Sequence, residues 1–318
     1  MTDKERYRAF AEQEKNLPLF LQPWWLDAVT EPDGKQWEVL LAFNKQGETE
    51  AALPYLIGKK LGLRYMLTPQ LTQYTGVWIR QQAEKRTTDQ LEREKKMQTA
   101  LIEQIHVIRP ALFELRFPPQ YTNWLPFYWA GFHQETRYTY RIEDLSNMEK
   151  VWSAFSYAKQ KQINKAKDEL LIDYSMSTDE FYALQSKQWA TKGERNVLSK
   201  RLVEHVIETA RERGQGMIVR AKDKDGHTHA AIFVAWDEHS AYELMSAIHP
   251  DFRASGASTL VVWEGMKRLS KTTGAWDFEG SMIESVENSF RQFGATQTPY
   301  FVITKNDFLG KLYHLCKR

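Results

Sequence analysis

The sequence predicts an α/β (α+β) protein of two tandem units, each a mixed, mostly antiparallel sheet flanked by helices. Three observations carry that prediction. The 318 residues exceed one core of ordinary size and suit two units of roughly 150 residues each. Strand-like runs are joined by short polar turns, the mark of antiparallel hairpins. Helix-periodic segments fall between them in a similar order in both halves: helices, hairpins, then a helix and further strands.

In the first unit, set at 1–145, PWWLDAV (23–29) reads as a short helix that buries Trp24 or Trp25. Strand runs at 37–43 and 50–57 flank the turn Asn44–Gly47, and 61–67 and 75–79 extend the sheet. A long helix over 87–108 has a charged face and apolar positions at Leu91, Met97, Leu101, Ile102 and Ile105, and Pro110 stops it. Strands over 111–117 and 138–142 follow, the first broken by Pro118-Pro119.

In the second unit, set at 146–303, Ser146-Asn147 caps a helix that runs to about Leu170. A strand near 171–176 and helices at 178–192 and 199–213 come next, and Gly214-Gln215-Gly216 ends the last of these. Strands at 217–222 and 230–236 flank the turn Asp223–Gly226. A strand at 240–248 leads into a loop and helix over 253–268. Strands at 275–278 and 300–304 bracket a polar segment. The tail, 304–318, carries a helix over 307–316 whose Phe308, Leu309, Leu312 and Leu315 are expected to pack on the first unit.

Composition removes several function classes. A net charge of +2 does not describe a general nucleic-acid coat. The single cysteine, Cys316, allows no intrachain disulfide and no site with several Cys ligands. Of the eight histidines only His227 and His229 are close in sequence, with no evident third ligand, so no metal is expected. No apolar run reaches about 18 residues and the N-terminus has no signal-peptide core, so the expected location is the cytoplasm, with no transmembrane segment.

The segment Arg253-Ala254-Ser255-Gly256-Ala257-Ser258 joins a strand to a helix. Small residues let backbone N–H groups approach an anion, the first helical turn leaves N–H groups unpaired, and Arg253 adds a charge-assisted contact. Together they suit a pyrophosphate. The plainer reading is a capped amphipathic helix that packs Leu260, Val261, Trp263 and Met266.

This loop resembles the R/Q-x-x-G-x-G/A element of GNAT acyltransferases, with Ser258 at the last position. Its surroundings resemble the FemAB-like branch, the peptidoglycan bridge aminoacyltransferases and their acetyltransferase relatives. The shared features are Asp277-Phe278-Glu279-Gly280, Phe290-Arg291-Gln292-Phe293-Gly294 and the basic helix with KQKQINKAKDEL, and the similarity spans roughly 150–303. The resemblance implies two GNAT-like domains, the first on the acceptor side. It implies an N-acyltransferase using acetyl-CoA or another acyl-CoA as co-substrate. An aminoacyl-tRNA donor acting on a cell-wall precursor is the alternative, and a non-catalytic binding module is another. The long heptad hairpin of some members has no counterpart here, which disfavours tRNA as a partner. The expected acceptor is a small-molecule or muropeptide-type amine.

In such a reaction backbone N–H groups of Leu244, Met245 and Ser246 would face the acyl group, while Arg253, Ser255, Gly256, Ala257 and Ser258 hold the donor phosphates. Glu243, in the same strand, is a candidate general base or an edge carboxylate. Glu279 is a second candidate base, Asp277 a turn-bonding residue, and Tyr300 and Ser281 are candidate proton relays. Lys159 shares the apolar stripe of Trp152, Phe155, Ile163, Ala166 and Leu170. With Lys161 and Lys165 near, it would either snorkel or grip an anionic acceptor. Lys59, Arg64 and Tyr74 are candidate acceptor contacts in the first unit, against the alternative of a solubilising hairpin edge.

Overall fold

The computed structural model describes residues 1–306 except 61, 83–85, 192 and 281. The expected helix at 307–316 and the candidate relay Ser281 lie outside the described residues. The elements run α1 (Asp3–Gln13), α2 (Pro23–Thr30), β1 (Gln36–Phe43), β2 (Thr49–Lys60), β3 (Leu63–Leu67), β4 (Trp78–Ile79), α3 (Thr87–Ile108), β5 (Leu112–Phe117), α4 (Leu125–Trp129) and β6 (His133–Ile142). They continue with α5 (Met148–Ala154), α6 (Tyr157–Glu169), β7 (Leu171–Asp173), α7 (Thr178–Ala190), α8 (Lys200–Glu212), β8 (Gly216–Lys222), β9 (Thr228–Trp236) and β10 (Ser240–Ile248). Last come α9 (Ala257–Leu269), β11 (Ala275–Asp277), α10 (Glu284–Arg291) and β12 (Thr296–Asn306).

Two compact units divide the chain. One is Met1–Arg137 with the segment from Pro299 on, and the other is Tyr138–Thr298. Residues from Pro299 group with the first unit because Phe301–Asn306 of β12 pair antiparallel with β5.

The first unit orders its strands β1-β2-β3-β5-β12, with β4 on β2. The β1–β2–β3 meander is antiparallel, and β3 pairs β5 in parallel after the α3 crossover. Its apolar interior gathers Met97, Leu101, Ile102 and Ile105 of α3 against Leu53, Phe113, Phe117 and Ile303. Leu91, expected on that face, is exposed. Trp25, not Trp24, is the fully buried member of its pair.

The second unit repeats this plan with β8, β9 and β10 as the antiparallel meander, α9 as the crossover and β11 as the parallel partner of β10. Its order is β6-β11-β10-β9-β8-β7. The repetition of meander, helix, parallel strand and antiparallel neighbour is the duplication that the similar order of segments in the two halves implied.

Local departures from the expected elements have identifiable causes. The helix expected from 146 to about 170 is two helices. Ser156 breaks it by capping α6, its side chain accepting from Lys159 N, while its own N–H donates to the Gln292 carbonyl at 2.8 Å. The polar segment after β11 contains α10, whose Phe290 stacks on Phe278. The N-terminus forms α1, started by a capping box between Thr2 and Glu5.

Candidate functional site

The site residues of the second unit are set by where β10 and β11 part. Their parallel ladder covers only Ser240–Tyr242 against Ala275–Asp277. Past Tyr242, β10 continues to Ile248 along β9, with a register shift between Glu243 and Met245 that leaves Leu244 bulged. A bulge adds local twist and re-aims the neighbouring side chains. At the far end α7 reaches the strand, since Ile248 N–H donates to Gln188 Oε1 at 2.8 Å.

The Asp-Phe-x-Gly segment is the clasp that ends β11. Asp277 is fully buried. It accepts from Arg141 Nη1 at 2.8 Å, from the Thr139 hydroxyl and from Glu279 N–H at 2.8 Å. Glu279 and Gly280 both adopt positive φ, at 60° and 56°. A Cβ at Gly280 would lie 2.1 Å from the Tyr138 carbonyl oxygen, so only glycine fits there. Phe278 packs on Phe290 and Phe293, and Phe293 meets Phe155 edge-on. The two motifs that carry the family resemblance therefore interlock as one packed unit. Asp277 takes the turn-bonding part expected of it, and Glu279 lies at the positive-φ corner of that turn.

Glu243 sits at the bulge. Its Oε2 is fully shielded while the residue keeps some accessible surface. Burial pushes the carboxyl up to about 8, opposed by the Trp276 indole N–H and by the charge of Lys159. The indole lies beside the carboxylate without meeting hydrogen-bond geometry. A carboxyl of this kind titrates near neutral pH, where a general base is most effective.

Lys159 is only 8 % exposed. Its Nζ donates to Ser289 Oγ at 3.0 Å and lies 3.4 Å from Thr259 Oγ1 and 4.4 Å from the Phe293 ring centre. Burial pushes its ammonium down to about 8, opposed by Glu243. Lys161 and Lys165, on the same helix, are exposed.

The donor loop is a short 3-10 segment, Pro250–Ser255, followed by Gly256 at φ 78° and the start of α9. Arg253 is exposed and donates to Thr191 Oγ1 at 3.1 Å. Ser255 Oγ accepts from Ala257 N–H at 3.3 Å, and Ser255, Gly256 and Ser258 are half-buried. Helix α6 crosses close to this turn. A Cβ at Gly256 would come within 2.8 Å of the Gln162 carbonyl oxygen. Thus Gly256 serves a left-handed cap and a close helix contact at once. Leu244 and Met245 are buried and Ser246 is exposed on the strand that leads to this loop.

Tyr300, Tyr74, Lys59 and Arg64 lie in the first unit, and the His227–His229 pair in the second. Tyr300 and Tyr74 are buried and meet edge-on, with ring centres 5.2 Å apart. Lys59 and Arg64 are exposed and directly opposite each other on β2 and β3. Arg64 also donates to the Ile108 carbonyl at 3.3 Å. His227 and His229 both face the Asp223 carboxylate, at 3.0 and 3.4 Å. Asp223, Asp225 and His227 are the one group of three potential metal ligands found among the described residues, at an exposed turn.

Sequence reasoning did not single out Thr259 or Trp276 for the site. Both are set by packing of α9 and β11, and a buried Trp beside the motif aspartate was the available signal. Phe293 was visible only as a motif member, and Ser289 directly precedes that motif.

The family model for the acetyltransferase (GNAT) domain matches residues 160–276. No curated protein matches the chain in sequence. Several solved structures resemble it throughout. One described as FemX shares 12% identity at a TM-score of 0.69, covering 100% of this chain and 99% of that one. The C-terminal domain of a putative lysylphosphatidylglycerol synthetase from Agrobacterium fabrum shares 10% identity at 0.58, covering 98% and 95%. A tandem GNAT protein from the clavulanic acid biosynthesis pathway shares 10% identity at 0.53, covering 95% and 92%. The match to the GNAT domain model thus falls within the second unit, and the whole chain has the two-unit fold of these proteins, as the FemAB-like resemblance implied. Among the described residues no helix is long and apolar enough to cross a membrane.

Proposed function

We propose that the chain is an N-acyltransferase that moves an acyl group from a CoA-type thioester to an amine, with Glu243 as general base. The observation that carries this is the Glu243 carboxyl, buried by one oxygen yet partly accessible, at the bulge where β10 leaves β11. The amine nitrogen forms a bond to the acyl carbonyl carbon, the carbon–sulfur bond breaks, Glu243 takes the amine proton and the thiolate leaves and is protonated. Backbone N–H groups of Leu244–Ser246 are assigned to the developing oxyanion, and Arg253 with the Ser255–Ser258 turn to the donor phosphates. The FemAB-like resemblance supports a peptide amine of muropeptide type as acceptor.

Incubation with acetyl-CoA and a panel of primary amines, including a UDP-linked muropeptide, is expected to release free thiol and yield an acylated amine. Absence of both with every amine overturns the reading.

The alternative donor implied by the resemblance is an aminoacyl-tRNA. Transfer of labelled amino acid from charged tRNA to the muropeptide, with no reaction from acetyl-CoA, selects that donor.

A further inference from the structure

Three features of the second unit meet at the start of α9, and none has a negative partner. The first is Lys159, which is 8 % exposed and lies on the inward face of α6 with Ile163 and Ala166. Its ammonium contacts the Ser289 hydroxyl at 3.0 Å, the Thr259 hydroxyl at 3.4 Å and the Phe293 ring. All three are neutral, and among the described residues no carboxylate pairs with it. An ammonium taken out of water is costly unless an anion shares its site.

The second feature is the first turn of α9, which has no acidic residue and no side-chain cap. The partial positive charge of that helix start is not offset from within the chain. Thr259 lies in this turn and gives its own hydroxyl hydrogen to Gln162 Oε1 at 3.0 Å. The third feature is Ser289 of α10, half-buried, which accepts from Lys159. Among the described residues its hydroxyl hydrogen goes to no acceptor. An ammonium has three N–H donors, and two of those on Lys159 are used. One N–H and one O–H thus remain together on the more open, Ser289 side.

We propose that Lys159 and Ser289 bind a phosphate group of the acyl donor beside the first turn of α9, and do not contact the acceptor. This rests on the reading of the chain as an acyltransferase with a CoA-type donor. Chain position selects the donor side: Thr259 directly follows the Gly256-Ala257-Ser258 turn assigned to the donor phosphates, and α6 abuts that turn at Gly256. A phosphate oxygen accepts the remaining N–H and O–H and supplies the negative charge that the pocket lacks. Burial lowers the ammonium to about 8, which leaves it charged at neutral pH.

Calorimetry on the full chain with coenzyme A and with inorganic pyrophosphate tests this in the wild type, Lys159→Met, Lys159→Arg and Ser289→Ala. Lys159→Met is expected to weaken both ligands roughly tenfold or more, the effect of losing a charge-assisted hydrogen bond. Ser289→Ala weakens them about threefold, and Lys159→Arg restores part of the loss. In steady-state transfer Lys159→Met raises the KM for acetyl-CoA, while the KM for acetylpantetheine, which has no phosphate, and for the amine change less than about threefold. Unchanged affinity of Lys159→Met for both ligands overturns the proposal, and a raised amine KM beside it makes Lys159 an acceptor contact. If Lys159→Met does not fold, unchanged affinity in Ser289→Ala overturns it equally. A wild type that binds neither ligand also overturns it. Pyrophosphate binding that depends on Lys159, in a protein that transfers no acyl group, supports the site and removes the acyltransferase reading instead.

Discussion

Arg141 Nη1 donates to the fully buried Asp277 carboxylate at 2.8 Å, and this pair ties β6 to the last residue of β11. The same carboxylate holds Glu279 N–H, so one group both ends the β10–β11 ladder and fixes the turn beyond it. Its removal leaves the Arg141 charge buried, with half-exposed Glu143 as its other partner. Asp277→Asn is expected to destabilise the protein by about 3 kcal/mol or more. Urea denaturation checks this, and an unchanged midpoint contradicts it.

Two glycines are expected to resist substitution to different degrees. Gly256→Ala places a Cβ 2.8 Å from the Gln162 carbonyl at a positive φ, and should cost about 1–3 kcal/mol. Gly280→Ala places it 2.1 Å from the Tyr138 carbonyl, and should cost more or prevent folding. Thermal melts of both variants settle the order, and equal or negligible losses contradict it.

Burial of Glu243 and of Lys159 imprints a pH dependence on stability. The Glu243 carboxyl is raised from 4.5 to about 8 on folding, so between those values the folded state binds more protons than the unfolded state. Its contribution is therefore full below about pH 4.5 and is lost as pH rises through about 8. Lys159 is lowered from 10.5 to about 8, so above 8 the unfolded state binds more protons and stability is regained toward 10.5. Relative to the wild type, Glu243→Gln should gain stability as pH rises from about 4.5 to 8. Denaturation at a series of pH values checks this, and a parallel pair of curves contradicts it.

Arg253 is exposed and bonded to Thr191. If it reaches the donor phosphates, Arg253→Ala should weaken coenzyme A binding by roughly tenfold, the worth of one hydrogen bond to a charged group. Calorimetry with coenzyme A measures it. Unchanged affinity places the phosphates elsewhere.

Much of the fold was legible because its signals are local. The hairpin of β8 and β9 announces itself by two strand-like runs about an Asp-Lys-Asp-Gly turn, and α3 by its apolar spacing. What was not legible depends on distant partners. Nothing near Ser156 says that the helix breaks there, because the Gln292 carbonyl decides it. The Thr2–Glu5 capping box that starts α1 is a local signal. At the site, Glu243 and Lys159 were named as separate candidates from their positions in a strand and a helix. The enclosure of Lys159 comes from α6, α9 and α10 meeting, which no single periodicity encodes. Leu244 reads as an ordinary strand residue, and its bulge appears only against β9.

The most direct test of the central claim is the pH profile of acetyl transfer from acetyl-CoA in the wild type and in Glu243→Gln. The wild-type kcat/KM is expected to rise with pH and level off near 8, following the Glu243 carboxyl. Glu243→Gln is expected to lose that rise and to fall about 10²–10⁴-fold at the plateau while remaining folded. A folded Glu243→Gln protein that transfers acetyl groups at the wild-type rate contradicts the account.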